Sequence, residues 1–579
     1  MTMRRTRRIG AAVVAVLALC LTACSGLPTE GSFQPGLSTE ERSREARWQF
    51  SPDGPATGAE PAAIVLGFLD AGESPLDDWK VAREFLTPAA QTTWDPNERI
   101  TVDSVNDRAV GEFEAESDGD GGTITARVTP TATVDERGAY RLAGDSVRSL
   151  DFELEQVDGE WRISSAPDGV VVQSGSFTSI FAPQALYFSS FDDRLVPDVR
   201  WFADSPTRVE RIVTQLVETG PSPWLENAAF TAFDGIDVEK VTVSETSATV
   251  ELSRAAAEAS PEQRARMQTQ LSRTLNIVDV RMTVDGSRIT APDDRIVSTE
   301  PDPRAMALAE TDDGVAFGYF TNGEITPIPG LSDVIVEQFA PDGAADDPAT
   351  SIVVSPDLMT AIVRTESGRM WWVDAEDGSY DVFNYEKEWT SPSLDAFGYV
   401  WSAHLDEAGL FQTWNDERDP RELNGLSQLT EVSAIQVSRD GARIAVTGRA
   451  DNQPVLIVAG VRRDSDARPV GLSAPQDVYP LPGDAQAVAW VSDTAVAAMV
   501  VSDGRTVIRE QQVGARGTRL TPSFVAEDIT YGNPESSERL LADDGSLYIR
   551  NTTSWQQAGG DVLVLATQTG APPMTDTTP

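Results

Sequence analysis

The stretch Ser351–Asp374, SIVVSPDLMTAIVRTESGRMWWVD, runs an apolar strand into a polar turn, then a second apolar strand, a Ser-Gly turn and a third strand. The same order returns in Ser433–Gly460, SAIQVSRDGARIAVTGRADNQPVLIVAG, and in Gln486–Glu510, QAVAWVSDTAVAAMVVSDGRTVIRE. Apolar runs this short, broken by Asp, Gly and Ser, are the pattern of antiparallel strands joined by tight turns. Ser355, Ser393 and Ser438 mark matching turns, at intervals of 38 and 45 residues. That spacing is the size of one propeller blade, and a lone blade leaves both faces of its sheet bare, so several must pack around an axis. Residues 302–570, at roughly 42 per blade, predict an all-β propeller of about six blades, with stacked β-sandwiches as the alternative. Trp371, Trp372, Trp401 and Trp490 fall in these strands. Packing between blades explains them more simply than stacking of sugar rings on exposed faces. The last residues, 571–579, read as a disordered tail.

Upstream, residues 177–290 mix helix and strand. Ser205 with Pro206 is placed to open a helix; Val209, Ile212, Val213, Leu216 and Val217 give it one apolar stripe, and Gly220 closes it. Val241 and Val243 lie on one following strand, and Ala248, Val250 and Leu252 on the next. Ser260-Pro261 opens a further helix with Gln263 set for a capping box and Met267, Leu271 and Leu275 along one side. The strings LYFSSFDDRLVPDVRWF (186–202), LVETGPSP (216–223), VTVSETSATVELS (241–253) and VDVRMTVDG (278–286) resemble a GerMN domain, a small α+β module of exported proteins. The resemblance implies binding or assembly and no catalytic residue, with Pro197, Gly220, Pro221 and Gly286 at turns.

Residues 59–166 begin with Pro61 in a helix-start position and Ile64, Val65, Phe68 and Leu69 at helical spacing. Trp79, Ala82, Phe85 and Leu86 suggest a second helix, followed by strand-like runs with a turn at Asp158-Gly159. Two helices and a meander ending in DGEWRIS (158–164) resemble an NTF2-like α+β cone. Phe85 and Trp161 either line its pocket or belong to plain core.

The amino terminus carries Arg4, Arg5, Arg7 and Arg8, then the uncharged run Ile9–Leu21. At about 1.5 Å per residue that run covers roughly 20 Å, short of the ~30 Å hydrocarbon core, so it reads as a signal peptide spanning residues 1–23. The only two cysteines are Cys20, inside the run, and Cys24. Leu21, Thr22, Ala23 and Cys24 resemble a bacterial lipobox, which implies cleavage between Ala23 and Cys24 and lipidation, palmitate included, on the Cys24 thiol. The alternative is an ordinary secretory signal with a chance cysteine. Residues 24–58, rich in Gly, Pro and Ser, read as a flexible tether.

Composition narrows the rest. The net charge of −45 becomes −49 without residues 1–23, a surface that repels nucleic acid and anionic head groups. His404 is the sole histidine, which rules out His-rich zinc sites and leaves one base for any Ser-His scheme; its context, YVWSAHLDEAG, points to a surface or packing role. No Gly-x-Ser-x-Gly elbow or phosphate loop is present, and with 91 acids a carboxylate pair signals nothing by itself. Asp118-Gly119-Asp120-Gly121-Gly122 lacks a calcium ligand ladder and reads as a hairpin turn. No catalytic residue, metal ligand or cofactor is expected.

The order of lipobox, NTF2-like segment, GerMN-like segment and propeller resembles the LpqB family of actinobacterial lipoproteins. That resemblance implies a non-catalytic protein on the outer face of the cell membrane, accessory to the MtrA–MtrB two-component system through the extracytoplasmic part of the MtrB sensor kinase, and so tied to cell-envelope and division control. A cell-wall glycan binder, an envelope enzyme using the propeller channel, and an assembly scaffold without a signalling role are the competing readings.

Overall fold

The computed structural model describes residues 52–570, apart from 105–107, 118–120, 145, 245, 278, 293–298, 300, 301, 303, 322, 408, 533–537 and 552–553. The expected signal peptide, the lipobox with Cys24, the tether up to residue 51, the turn at 118–120 and the tail lie outside the described residues.

Ser351–Asp374 folds into the strands that its alternation dictates: Ala349–Val354, Thr360–Thr365 and Met370–Asp374, with Tyr380–Asn384 as a fourth. Each pairs antiparallel with the next. Four further groups follow, opening at Ser393–Leu394, Leu429–Val437, Ala485–Trp490 and Ala526–Tyr531; the second has five strands and the others four. The ring closes where Val562–Gln568 pairs antiparallel with Ala305–Thr311, which continues into Gly314–Thr321 and Glu324–Thr326. Sharing one sheet between the two ends of the domain removes the open edge that either end would present. Faces meet through apolar clusters such as Ile362, Trp372, Leu394, Val400 and Trp414.

One expected turn moves. The Ser355 and Ser438 N–H groups donate to the carbonyls of Thr360 and Arg443, at 2.9 and 2.8 Å, and their hydroxyls donate to Asp357 and Asp440 two residues on. In the intervening repeat the bond runs from Asp395 N–H to the Tyr399 carbonyl, at 2.9 Å, so Asp395 is the matching residue and Ser393 sits within the strand before it. A carboxylate there accepts the Phe397 N–H directly, at 2.9 Å, and replaces the Ser–Asp pair.

In the amino-terminal domain the helix Pro61–Ala71 buries Ile64, Val65, Phe68 and Leu69. The second helix is one short segment, Lys80–Glu84, opened by Trp79, whose indole donates to the Gly72 carbonyl at 3.0 Å. The strands are not one meander. Gly121–Val128, Arg148–Val157 and Glu160–Ser165 build one sheet, while Pro130–Asp135 crosses to a second with Arg99–Asp103 and Tyr140–Leu142. That second sheet extends past residue 166, because Val170–Gln173 pairs parallel with Arg99–Asp103. Asp158 and Gly159, with φ of 54° and 83°, make the expected two-residue hairpin turn.

The middle domain holds the hairpin Phe181–Ser189 with Leu195–Ala203, and a sheet in which Ser247–Leu252 and Asp279–Val284 run parallel, joined through the helix Pro261–Leu275. Ser260 caps that helix by accepting the Gln263 N–H at 3.1 Å, but the Gln263 amide turns away to the Ala232 carbonyl, at 2.9 Å, so the capping box is half made. The earlier helix starts at Arg208, two residues after Pro206, and has no side-chain cap; the Ser205 hydroxyl bonds Thr207 instead. Pro197, expected at a turn, lies buried within Leu195–Ala203 opposite Tyr187. A two-stranded hairpin tolerates its missing donor. Gly220 and Gly286, with φ of 62° and 73°, do sit at turns.

Candidate functional site

Two places concentrate polar chemistry: the axis of the β-propeller-type domain, and the seam where all three domains meet. The axial channel is a cavity of about 310 Å³. Strand alternation alone would send every second side chain into it. The inner strands do more, because each of five carries an extra residue at the same place. Pairing skips Thr350 between Ala349 and Ser351, Ser433 between Val432 and Ala434, Gln486 between Ala485 and Ala487, and Glu527 between Ala526 and Asp528. Leu563 is skipped likewise in the closing sheet. A β-bulge turns two consecutive residues toward one side, so each pair lines the channel together.

The lining is hydroxyl, amide and aliphatic, with Glu527 and Asp528 as its charged members and no aromatic or cationic side chain among its described residues. Asp528 accepts the Ile529 N–H at 2.8 Å. Its side chain is half-buried among the strands that line the channel. The lost solvation, reinforced by the Glu527 charge, pushes its carboxyl up to about 7.

The seam is built oppositely. The tight hairpin after Arg505–Gln512 thrusts Gly514 between the other domains: its carbonyl accepts the Trp201 indole at 2.8 Å and its N–H donates to the Tyr479 hydroxyl at 3.1 Å. Ala515, 2% exposed, joins the amino-terminal core. Trp201 in turn packs on Phe177 and Tyr140, with ring centroids 4.7 and 5.7 Å away. Leu142 N–H donates to Asp477 at 2.8 Å, and burial raises that carboxyl above its ordinary value. On the middle domain, the Ser473 hydroxyl donates to the Trp224 carbonyl at 2.6 Å and accepts the Gly460 N–H at 2.8 Å. Gly460 is obligatory here, since a Cβ would stand 2.6 Å from the same Trp224 carbonyl.

The sequence-predicted residues fall out as follows. Leu21, Thr22, Ala23 and Cys24 are outside the described residues. His404 accepts the N–H groups of Asp406 and Glu407 through Nδ1, at 3.2 and 3.0 Å, and lies edge-on to Trp389, so it shapes a turn. Trp372, Trp401 and Trp490 are buried; Trp401 donates to Asp395 at 2.8 Å and Trp490 to the Gln436 carbonyl at 3.1 Å. Trp371 is half-buried against Phe339. Phe85 is core, and Trp161 packs edge-on with Phe113. The hollow of the amino-terminal domain lies elsewhere, between Phe68, Trp94, Thr101, Arg148 and Phe152, and at about 20 Å³ has room for about one water. Among the described residues no group of three potential metal ligands converges, and no helix is long and apolar enough to cross a membrane. The bulged residues were missed in the sequence, although four of them leave the signal of a polar residue standing five positions before the blade's turn.

These features define a multidomain, strand-rich protein with a β-propeller-type domain. Comparison with known proteins places it more closely. Residues 54–178 match the family model for the amino-terminal domain of lipoprotein LpqB, and residues 319–564 match that for the lipoprotein LpqB beta-propeller domain. The chain belongs to the LpqB lipoprotein family. Lipoprotein LpqB of Bifidobacterium longum is 25% identical, over 98% of this chain and 100% of the relative. That of Thermobifida fusca is 27% identical over 80% and 83%, and that of Cutibacterium acnes 31% identical over 52% and 51%. Among solved structures, TolB from Acinetobacter baumannii is similar with a TM-score of 0.30 and 16% identity, over 45% of this chain and 64% of that one.

Proposed function

We propose that this chain is a non-catalytic lipoprotein, held on the outer face of the cytoplasmic membrane by lipid on Cys24, that binds the extracytoplasmic domain of an MtrB-like sensor kinase and biases its signalling state. In this reading the six strand groups are six blades, and the amino-terminal and middle domains are NTF2-like and GerMN-like modules. Two or more acyl chains, at about 0.8 kcal/mol per buried CH₂, hold such a body at the membrane nearly permanently. Confinement to that layer raises its effective concentration near membrane partners, so a weak interface is occupied.

The observation that carries this reading is the seam. Three domains that share cores and hydrogen bonds present one fixed surface to a partner, as a binding protein requires. To shift the kinase it must bind one conformation better than the other, and about 1.4 kcal/mol of difference moves the ratio tenfold. Titration of the purified chain against the isolated ectodomain tests this. Saturable binding that shifts autophosphorylation is expected; no binding at high micromolar concentration contradicts it. A glycan site in the channel is disfavoured by the lack of stacking aromatics, and a glycosidase by two acids that neighbour each other on one strand instead of facing across a substrate.

A further inference from the structure

The channel is open, polar and built by a repeated device, and its chemistry differs from one end to the other. At one end stand the bulged residues, Glu527 and Asp528 among them, with no described cation against either in the lining. The other end runs through Gln436, Thr567 and Thr569 into an adjoining hollow lined also by Thr530 and Gln568. There the chemistry turns to donors. Thr569 and Thr530, 7% and 3% exposed, have hydroxyls with no hydrogen-bond partner among the described residues. The Gln568 side chain is already engaged: its oxygen accepts the Asp302 N–H at 3.2 Å and its amide meets the Tyr319 hydroxyl. Neither hydroxyl is sealed off from the hollow, so both stand open to an acceptor that enters it.

The two ends are a fixed distance apart. Glu527 and Thr530 are three residues apart on one strand, which at the ~3.3 Å rise of a strand is about 10 Å. A peptide of three residues in extended form spans the same length. A cavity of about 310 Å³ lies in the range of sites for small ligands. We propose that the axial channel is a binding site for a short extended peptide, its ammonium held by Glu527 and Asp528 and its carboxylate received by the Thr530 and Thr569 hydroxyls. The hydroxyls and amides between them, from Ser433 and Gln436 to Gln486, meet a peptide backbone without selecting its side chains. This site is independent of the kinase reading, and either can fail alone.

Calorimetric titration of the full chain with trialanine bearing both free ends tests it, alongside N-acetyl-trialanine and trialanine amide. Free trialanine is expected to bind saturably, and each blocked peptide at least tenfold more weakly. Glu527→Gln is expected to weaken the free peptide at least tenfold while leaving the acetylated one as it was; Glu527 is exposed, so the variant should keep the parent's unfolding temperature. Ser433→Trp, which fills the channel, should abolish binding of all three. Equal affinity for free and acetylated peptide, indifference to Glu527→Gln, or no heat at millimolar peptide would overturn the proposal. So would displacement of the peptide by submillimolar calcium chloride, which would make the acids a cation site.

Discussion

The seam is built where turns and loops of the propeller meet the other domains and is sealed, whereas the channel is lined by the inner strands and is left open. At the seam, glycine backbone comes close to the other domains: Gly460 admits the Trp224 carbonyl, and Gly514 accepts the Trp201 indole while donating to the Tyr479 hydroxyl of its own domain. At the axis, five inner strands each insert a residue that strand pairing does not use. A sealed region gains stability from every contact, whereas an open one keeps its polar groups available. The difference separates the part of the molecule that fixes its shape from the part that stays open.

If that division holds, the largest loss of stability should come from Gly460→Leu, which drives a side chain into the Trp224 carbonyl. Overpacking against backbone should cost about 3 kcal/mol, read as a lower denaturation midpoint at unchanged slope. A change under about 0.5 kcal/mol would mean that the seam is loose.

The channel should show itself next, through pH. The folded carboxyl of Asp528 titrates near 7, above its unfolded value, so the folded state holds the extra proton between them. Its contribution is therefore complete below about pH 4, falls as pH rises toward 7 and is flat beyond. Allowing for channel water, the fall is on the order of 2 kcal/mol. Asp528→Asn, which keeps the acceptor for Ile529, should be more stable than the parent at pH 8 and similar at pH 4. Parallel pH profiles for the two proteins would contradict the raised value.

Ser473→Ala removes the hydroxyl that links Gly460 to Trp224 and should cost about 1–2 kcal/mol, measured in the same denaturation. The smallest effect belongs to the Arg254–Asp285 pair, whose side chains are 83% and 63% exposed. Arg254→Ala should move stability by less than about 0.5 kcal/mol.

How much of this was legible in the sequence follows the range of each interaction. The blade strands, the Asp158-Gly159 turn and the Ser260 cap are local, and alternation, positive φ and a single hydroxyl announce them. The switch of Pro130–Asp135 into a second sheet and the return of Val170–Gln173 to Arg99–Asp103 depend on pairing across tens of residues, which periodicity does not record. The seam was invisible for the same reason: Trp201 and Gly514 are 313 positions apart. The channel was half legible. Thr350, Ser433, Gln486 and Glu527 each break an apolar alternation by one polar residue, but only the register reveals that the extra residue turns inward.

Scanning calorimetry of the full chain reads the division most directly. A single transition, with calorimetric and van't Hoff enthalpies in agreement, is what domains sharing cores and hydrogen bonds should give. Separate transitions for the amino-terminal domain and the propeller would contradict the fused body on which the proposed function rests.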